Sequence, residues 1–288
     1  MTTNIGIYFW GCNKLDRLAS EYILLSLNKQ QSLFEYEIHN PKSFLEGPYI
    51  SGRVDFDDDT IFKQFKCRFK LYKDEINKKN NEVNDNFVPL NNSIAEYSIA
   101  IIEKKVKDEF YYVCDRPFII ISIGDWKKKY APPSIIEFLL STIITASIDL
   151  LDTKDQLPMH LATKGCLFDY NRKLESARYC VLTNHICYEC RERIRELLGN
   201  EFLKELKKIT ERDWIGISDD KGSVAYNLKR VFYYDLNKTK GFKATFISKM
   251  LQKFSVLFTE AAVKIIILII FGLLLGILGF TSILEFIK

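Results

Sequence analysis

The sequence predicts an α/β or α+β fold, with a mixed sheet, flanking helices and a zinc-stapled segment, followed by one C-terminal transmembrane helix. Three observations support this prediction. Strand-like and helix-like runs alternate along the first half, cysteine and histidine concentrate between positions 160 and 194, and a long segment of the tail carries no charge. Of 288 residues, 47% are hydrophobic and 27% are charged, which provides enough apolar surface for a folded core and excludes disordered and collagen-like chains.

The first forty residues alternate between strand-like and helix-like patterns. Residues 5–11, IGIYFWG, form a short apolar run that ends in Gly and is typical of a buried strand. Residues 16–28 repeat apolar side chains at helical spacing, and residues 33–39, LFEYEIH, alternate as a second strand does. The order of strand, helix and strand indicates an α/β or α+β start.

The middle of the chain continues with three segments. Residues 72–92 are polar, with NKKNNEVNDN at their centre, and predict a surface loop or insertion. Residues 93–108 predict a helix. Residues 117–126, PFIIISIGDW, predict a central strand because they are apolar on both faces.

The second half adds one long helix and a strand region. Residues 134–151 follow two prolines, and their length together with Ser134 predicts a helix that Glu137, near its first turn, helps to stabilise while facing solvent. Residues 213–235 predict one or two strands joined by a turn at 219–222.

Residues 160–194 carry the clearest chemical signal, with two of the three histidines and four of the seven cysteines of the chain. An odd number of cysteines that includes a Cys-x-x-Cys favours a metal in a reducing compartment over a secreted disulfide framework. Cys187 and Cys190 have the spacing that lets two thiolates face one ion, at the start of a predicted helix whose dipole favours thiolate. His160 and Cys166 supply a second pair, with Gly165 available to bend the chain.

A structural zinc ion takes four nitrogen or sulfur ligands in a tetrahedron. The predicted ligands of one structural Zn²⁺ are His160, Cys166, Cys187 and Cys190. Cys180 or His185 are alternatives to His160. Reduced cysteines without a metal, a redox-active Cys-x-x-Cys and an iron-sulfur cluster are competing interpretations of the same residues.

These residues also carry a family resemblance. Cys-Tyr-Glu-Cys-Arg-Glu-Arg-Ile at 187–194, preceded by Cys-Leu-Phe-Asp-Tyr at 166–170, resembles the C-terminal zinc-binding part of archaemetzincin-type metalloproteases. The resemblance implies that Cys166, Cys187 and Cys190 match three of the four structural ligands of that family, and that His160 stands in for the remaining cysteine. It covers about a fifth of the chain.

The catalytic motif of that family is absent. Its active-site helix carries His-Glu-x-x-His with a third histidine beyond, which leaves one zinc position open for water, whereas the predicted helix at 134–151 contains no histidine. The three histidines, at positions 39, 160 and 185, are too far apart in sequence to form the motif. The sequence also contains no phosphate-binding loop, nucleophile elbow or dinucleotide-binding fingerprint. The resemblance therefore implies a degenerate metzincin-like domain, and no catalytic residue is predicted.

The tail predicts a membrane anchor. Residues 265–284 contain no charged side chain, and a helix of 20 such residues spans about 30 Å, the thickness of bilayer hydrocarbon. Residues 238–258, basic and amphipathic, are expected either to lie along an anionic membrane surface or to pack on the body as an ordinary amphipathic helix, before the anchor at 259–288. Six lysines against one glutamate between 238 and 264 predict that the body, residues 1–237, is cytoplasmic and that the chain crosses the membrane once.

Small residues on one face of the predicted anchor indicate a packing surface. Gly272 and Gly276 form a Gly-x-x-x-Gly, and Gly279 lies on roughly the same face, a pattern that lets two helices approach closely and predicts a homo-oligomer. The lipid bilayer is the other predicted partner, and the sequence identifies no small-molecule or protein ligand.

These observations predict a membrane-tethered, catalytically inactive metzincin-like protein with one structural zinc, acting as a sensor, effector or scaffold in prokaryotic defence or stress. The first alternative is a metal-dependent hydrolase in which His160 and two cysteines hold an open-sided zinc, with Glu137 or Asp169 as base. The second is a zinc-containing nucleic-acid-binding module, although a net charge of +4 over 288 residues does not require nucleic acid. Its basic cluster would comprise Arg172, Lys173, Arg178, Arg191, Arg193 and Arg195, which glutamates interrupt, so a solvated helix face is the simpler interpretation.

Overall fold

The computed structural model describes residues 2–12, 17–40, 58–82, 94–104, 106, 111–124, 126, 130, 132–152, 154, 156–170, 174–236, 250 and 264–273. The chain divides into two compact units, Met1–Lys243 and Ala244–Lys288. The first unit contains the sheet and the cluster of cysteines and histidine.

The first unit is built on a five-stranded mixed sheet, as the sequence predicts. Its strands, in chain order, are β1 (Thr3–Trp10), β2 (Phe34–His39), β3 (Tyr97–Ile102), β4 (Tyr112–Asp115) and β5 (Phe118–Ser122). They lie in the order β2-β1-β3-β5-β4. All neighbouring pairs are parallel except β4 and β5, which are antiparallel. The antiparallel β4 therefore forms one edge of the sheet.

Helices flank the sheet. They are α1 (Arg17–Asn28), α2 (Asp58–Glu82), α3 (Ile135–Leu151), α4 (Leu174–Thr183), α5 (Tyr188–Leu198), α6 (Asn200–Glu211) and α7 (Val224–Val231), with a 3₁₀ turn at Asp213–Ile215. Alternate residues of the strands face two separate hydrophobic cores. Ile7 and Phe9 of β1 pack with α1, α3 and the later helices. Tyr8 and Trp10 pack with α2 on the opposite face. Burial on both faces explains why β1, β3 and β5 read as nearly continuous apolar runs.

The prediction of a helix over residues 93–108 is wrong. Residues 97–102, YSIAII, form β3, which pairs on one side with β1 and on the other with β5. Five of its six side chains are buried. The run is apolar on both faces, so its hydrophobic spacing alone cannot separate a central strand from a buried helix, and pairing with two neighbours decides the outcome.

The prediction of a loop over residues 72–92 is also wrong where the structure describes it. Residues 72–82 continue α2, and residues 83–92 lie outside the described part. The first turns of α2 bury Ile61, Phe62 and Phe65 against the sheet. A helix anchored in this way extends into solvent with polar residues, because lysine and glutamate favour a helix nearly as well as alanine does.

Residues 213–235 do not form strands. After the 3₁₀ turn they form α7, whose N-cap Ser223 accepts a hydrogen bond from the backbone N–H of Tyr226 at 3.0 Å. Ala225 and Leu228 are buried on one face at helical spacing. Valine and tyrosine in this run suggest strands, but the serine cap and the apolar face determine the helix.

The predicted helix over residues 134–151 is confirmed. Ser134 and Glu137 form a capping box at its start, since the Ser134 side chain accepts from the Glu137 backbone and the Glu137 carboxylate accepts from the Ser134 backbone. Contrary to the expectation that it faces solvent, the Glu137 carboxylate also pairs with Arg212, 3.3 Å away.

In the second unit, residues 264–273 are helical, and we label this helix α8. None of the helices that the structure describes combines the length and the apolar character needed to cross a bilayer. Residues 274–284 of the predicted span are not among the described residues, nor are Gly276 and Gly279. Gly272 lies in α8, and a Cβ added to it would meet no atom within 4 Å.

Candidate metal centre

The four predicted ligands lie together in the structure. One ligand atom from each of His160, Cys166, Cys187 and Cys190 lies within 4.8 Å of the others. His160 Nε2 is 3.0 Å from both Cys187 Sγ and Cys190 Sγ. Cys166 Sγ is 3.7 Å from Cys190 Sγ. None of the seven cysteines, all of which the structure describes, forms a disulfide, so these sulfurs are available as ligands.

The separation of the Cys166 and Cys190 sulfurs fits a tetrahedral ion, whereas His160 Nε2, at 3.0 Å from two sulfurs, lies closer to them than the about 3.5 Å that a bound zinc ion would set. With zinc–sulfur bonds of about 2.3 Å, two sulfurs at the corners of a tetrahedron lie about 3.8 Å apart. The distance of 3.7 Å between the sulfurs of Cys166 and Cys190 matches that value. Three sulfurs and one imidazole nitrogen are a donor set that suits zinc rather than magnesium or calcium. The cluster can therefore hold a metal ion and is compatible with zinc.

Backbone hydrogen bonds fix the first pair of ligands. The N–H of His160 donates to the carbonyl of Phe168 at 3.0 Å, and the N–H of Tyr170 donates to the carbonyl of His160 at 2.7 Å. The N–H of Leu167 donates to the carbonyl of His185 at 2.7 Å. These bonds tie the loop of residues 157–170, here called the metal loop, to itself and to the segment that precedes α5.

The chain bends sharply immediately before Cys166. Gly165 has a φ of +71°, and a Cβ there would lie 3.2 Å from the Thr183 side chain. The Thr183 hydroxyl donates to the Gly165 carbonyl, which holds the bend against the end of α4. Glycine is suited to this position because it adopts the left-handed region without a steric cost, as the sequence analysis anticipates for Gly165.

Asp169 braces the turn that presents Cys166. Its backbone N–H donates to the Cys166 carbonyl at 3.0 Å. Its carboxylate accepts from the backbone N–H of Lys164 at 2.7 Å and from that of Cys166 at 3.1 Å. This structural role differs from the general-base role that the hydrolase alternative gives to Asp169. The Cys-x-x-Asp spacing, which is one turn long, is the signal that could have identified this structural role.

The second pair of ligands starts a helix. Cys187 is the N-cap residue of α5, and Cys190 lies in its first turn and is buried. The backbone N–H of Cys187 donates to the Cys166 sulfur at 3.4 Å, which links the two pairs directly. The predicted helix that starts at Cys187 ends at Leu198, because Gly199, whose φ is +93°, separates α5 from α6.

Hydrogen bonding within the cluster shifts the pKa values of the Cys166 and Cys190 thiols in opposite directions. The hydrogen bond between the sulfurs lowers the pKa of the Cys166 thiol to about 5, aided by backbone N–H groups and opposed by burial. The same hydrogen bond, together with burial, raises the pKa of the Cys190 thiol above its ordinary value. Without a cation, one proton is thus retained by the sulfur pair, whereas a bound dication favours both as thiolates.

A carboxylate lies at the outer side of the histidine. Glu189 Oε2 is 3.9 Å from His160 Nδ1 and 2.8 Å from Lys164 Nζ. The ion pair with Lys164 lowers the pKa of Glu189. Carboxylates near the distal nitrogen of a ligating histidine commonly orient the ring and favour one tautomer. Here Nε2 faces the sulfurs and Nδ1 faces Glu189.

The alternative ligands have other partners. Cys180 is buried in α4, and its thiol donates to Asp169 Oδ2 at 3.5 Å. The backbone carbonyl of His185 accepts from Leu167, while the His185 side chain is exposed. Neither residue belongs to the cluster of ligand atoms found among the described residues.

The arginines considered for nucleic-acid binding are in part paired with acids. Arg193 Nη1 lies 3.2 Å from Glu196, and Arg195 Nη1 lies 2.6 Å from Glu192, on the exposed face of α5. Arg172 and Lys173 lie outside the described residues. The described part of this basic cluster therefore resembles a solvated helix face.

Comparison of the chain with family models, with curated proteins and with solved structures finds no match. The resemblance to archaemetzincins therefore stays a prediction that rests on the residues of the cysteine motif.

Proposed function

We propose that the chain is a non-catalytic binding protein whose metal loop and α5 are joined by one structural zinc ion, and which an apolar C-terminal segment tethers to a membrane. The observation that carries the first part is the convergence of one imidazole nitrogen and three sulfurs within 4.8 Å. Four protein ligands close a tetrahedron and leave no position for a reactive water. This donor set therefore favours a structural role over a catalytic one.

The two carboxylates of the rival hydrolase are already engaged. Asp169 accepts hydrogen bonds from two backbone N–H groups and from the Cys180 thiol. Glu137 accepts from the Ser134 backbone at 2.7 Å and pairs with Arg212. A general base must reach the proton that it abstracts. Both carboxylates instead hold local structure, which supports the non-catalytic alternative.

The zinc ion would link two segments that are far apart in sequence. His160 and Cys166 lie in the metal loop, whereas Cys187 and Cys190 lie at the start of α5. The free energy of metal binding is then available for folding, since the unfolded chain holds no preformed site. Removal of the metal is expected to loosen the metal loop first.

The membrane tether is supported by the described part of the tail. Eight apolar side chains of α8, from Ile265 to Leu273, are each between 52% and 69% exposed. A helix that is apolar on all sides is suited to a buried or lipid environment rather than to water. Residues 265–284 continue this composition without a charge, over the length that a bilayer requires.

Metal analysis of the purified full chain tests the zinc site. We expect one zinc per chain in the wild type and almost none in Cys187→Ser or Cys190→Ser, because each removes one of four ligands. Cys67→Ser is the matched control, since Cys67 is exposed on α2 and its loss removes a thiol that lies outside the cluster. Full zinc occupancy in both ligand variants would contradict the proposal.

Cobalt substitution of the full chain separates a closed site from an open one. Tetrahedral Co²⁺ bound by three thiolates should give intense visible bands and a thiolate charge-transfer band. Addition of azide should leave the spectrum unchanged, because a closed site offers no exchangeable position. A spectrum that changes with azide would support the hydrolase instead.

A further inference from the structure

A cavity of about 450 Å³ lies beside the metal loop. Small-molecule sites typically occupy about 300 to 1,000 Å³, and the volume of this cavity lies in that range. The edge strand β4, the second half of α3 and the helix α4 form its walls, and residues 157–159 and 167–170 of the metal loop complete it. The loop that carries two of the metal ligands thus also forms one side of the cavity.

Aromatic side chains from two segments of the chain line the cavity. Tyr111 and Tyr112 belong to the β4 region, and Phe168 and Tyr170 belong to the metal loop. Tyr111 packs against Phe138 of the core, with ring centroids 5.7 Å apart. Phe168 is buried, whereas Tyr170 is 42% exposed at the outer side. Aromatic rings supply apolar contact area and attract cations through their faces.

The charged groups of the lining are carboxylates, and one of them, Asp149, forms an ion pair with Arg116, which lies outside the lining. Asp149, Asp152 and Asp169 contribute carboxylates, and no lysine, arginine or histidine occurs among the described residues that line the cavity. Asp149 accepts from the Tyr112 hydroxyl at 2.5 Å and from Arg116 Nη2 at 2.9 Å, one bond to each oxygen. Each carboxylate oxygen has two lone pairs, so Asp149 retains capacity to accept from a ligand.

The uncharged polar groups of the lining also favour a donor ligand. The hydroxyls of Thr142 and Thr145 donate to carbonyls of the preceding turn of α3, at 2.8 and 3.1 Å. A hydroxyl has one proton and two lone pairs, so each of these oxygens can only accept a hydrogen bond from a ligand. A carboxylate or phosphate ligand would meet acceptors and negative charge, whereas an ammonium group would meet complementary partners.

We propose that this cavity binds a small organic cation, an amine attached to an aromatic or apolar body. The inference deepens the proposed non-catalytic function, on which it rests, by giving the class of ligand that a binding protein of this shape would recognise. The ammonium group is directed to the Asp149 side of the cavity, and the body lies between the tyrosines of β4 and the aromatic residues of the metal loop.

Calorimetry on the full chain with three matched probes tests the charge preference. Tryptamine is a cation at neutral pH, indole-3-ethanol is its neutral counterpart, and indole-3-propionate is an anion with the same ring. We expect tryptamine to bind with a dissociation constant about tenfold lower than that of the alcohol, and the propionate to show no binding. Equal binding of the three probes, or binding of none, would overturn the proposal.

Two variants localise the binding. Thr145→Trp places a large side chain in the cavity and should abolish tryptamine binding. Asp149→Asn keeps the size of the side chain, removes its charge and ends its ion pair with Arg116, so it should bring tryptamine to the affinity of the alcohol or below. Asp219→Asn is the matched control, because Asp219 is an exposed carboxylate paired with Lys229 and is not part of the lining. Unchanged discrimination in Asp149→Asn would contradict the proposal even if Thr145→Trp failed to fold.

Zinc content measured on the same samples separates this inference from the proposed function. A wild-type chain that contains zinc but does not discriminate between the probes refutes the cation site alone. A chain that discriminates but keeps its zinc in Cys187→Ser refutes the metal centre alone. If both proposals hold, Cys187→Ser should also weaken tryptamine binding, because the metal loop loses the constraint that places Phe168.

Discussion

Arg212 makes several polar contacts away from the candidate metal centre. Its guanidinium donates to the Glu137 carboxylate at 3.3 Å, to the Glu137 carbonyl at 3.4 Å and to the Val181 carbonyl at 3.3 Å. It also donates to the hydroxyl of Ser141. Burial lowers the pKa of Arg212, and Glu137 opposes that change. One cation thus connects α3, α4 and the segment that follows α6.

We expect Arg212→Ala to reduce the free energy of unfolding by about 3 kcal/mol, because it removes the cation that pairs with Glu137 and a donor to the Val181 carbonyl. Urea unfolding measures the change. Arg195→Ala is the matched control, since Arg195 pairs with Glu192 on the exposed face of α5, and an exposed pair contributes about 0 to 1 kcal/mol. Equal losses in the two variants would show that the buried network adds nothing.

His39 gives the molecule a dependence on pH that is separate from the metal. Its Nδ1 is 2.9 Å from the Tyr72 hydroxyl, its Nε2 is 3.3 Å from Glu37, and its ring stacks on Tyr8. Burial lowers the pKa of His39, while Glu37 acts in the opposite direction. The unfolded chain therefore binds a proton at a higher pH than the folded chain does.

This difference predicts that stability falls as the pH decreases below about 6.5, where the unfolded state gains a proton that the folded state does not. In His39→Gln the free energy of unfolding should fall less between about pH 7.5 and about pH 5.5 than in the wild type. Both proteins are measured with saturating zinc, so that proton competition at the ligands is common to them. Cys67→Ser, which changes an exposed side chain of α2 and leaves His39 and its partners in place, should keep the wild-type dependence. Parallel curves for wild type and His39→Gln would refute the prediction.

At the scale of elements, the sequence correctly predicts the helices and strands whose residue pattern fits only one type of secondary structure. β1, β2 and β5 are short apolar or alternating runs, and α3 has a serine cap, a length of 17 residues and an apolar face. The run that forms β3 is ambiguous because it is apolar on both faces, and only its pairing with β1 and β5 makes it a strand. Local pattern therefore fails where long-range pairing determines the structure.

The candidate site divides in the same way. The four metal ligands were predictable because their residue types and spacing are local properties of the sequence. The hydrogen bonds between Asp169 and the turn at Cys166 were partly predictable, because Asp169 lies one turn after Cys166. The cavity was not, since it joins residues of β4 near position 112 to residues of the metal loop near position 168, and only the packing of α3 and α4 brings these segments together.

At the scale of the whole molecule, tethering to a membrane depends on the C-terminal tail. Vesicle flotation tests the tether: we expect the full chain to float with phosphatidylcholine vesicles and to stay bound at high salt, because burial of an uncharged helix does not depend on counterions. A chain ending at residue 258 should remain in the soluble fraction and retain its zinc, which shows that the body is still folded.

The double variant Leu274→Lys/Leu275→Lys is the sharper comparison, because it keeps the length of the tail and changes only its charge at the middle of residues 265–284. Each lysine near the centre of a membrane helix costs about 2.5 to 3.5 kcal/mol, so the variant should release from the vesicles. Replacement of the same residues by isoleucine keeps the apolar character and should keep the wild-type distribution. If all four proteins distribute alike, the tail does not hold the molecule to a bilayer, and α8 must bury its apolar side chains against protein instead.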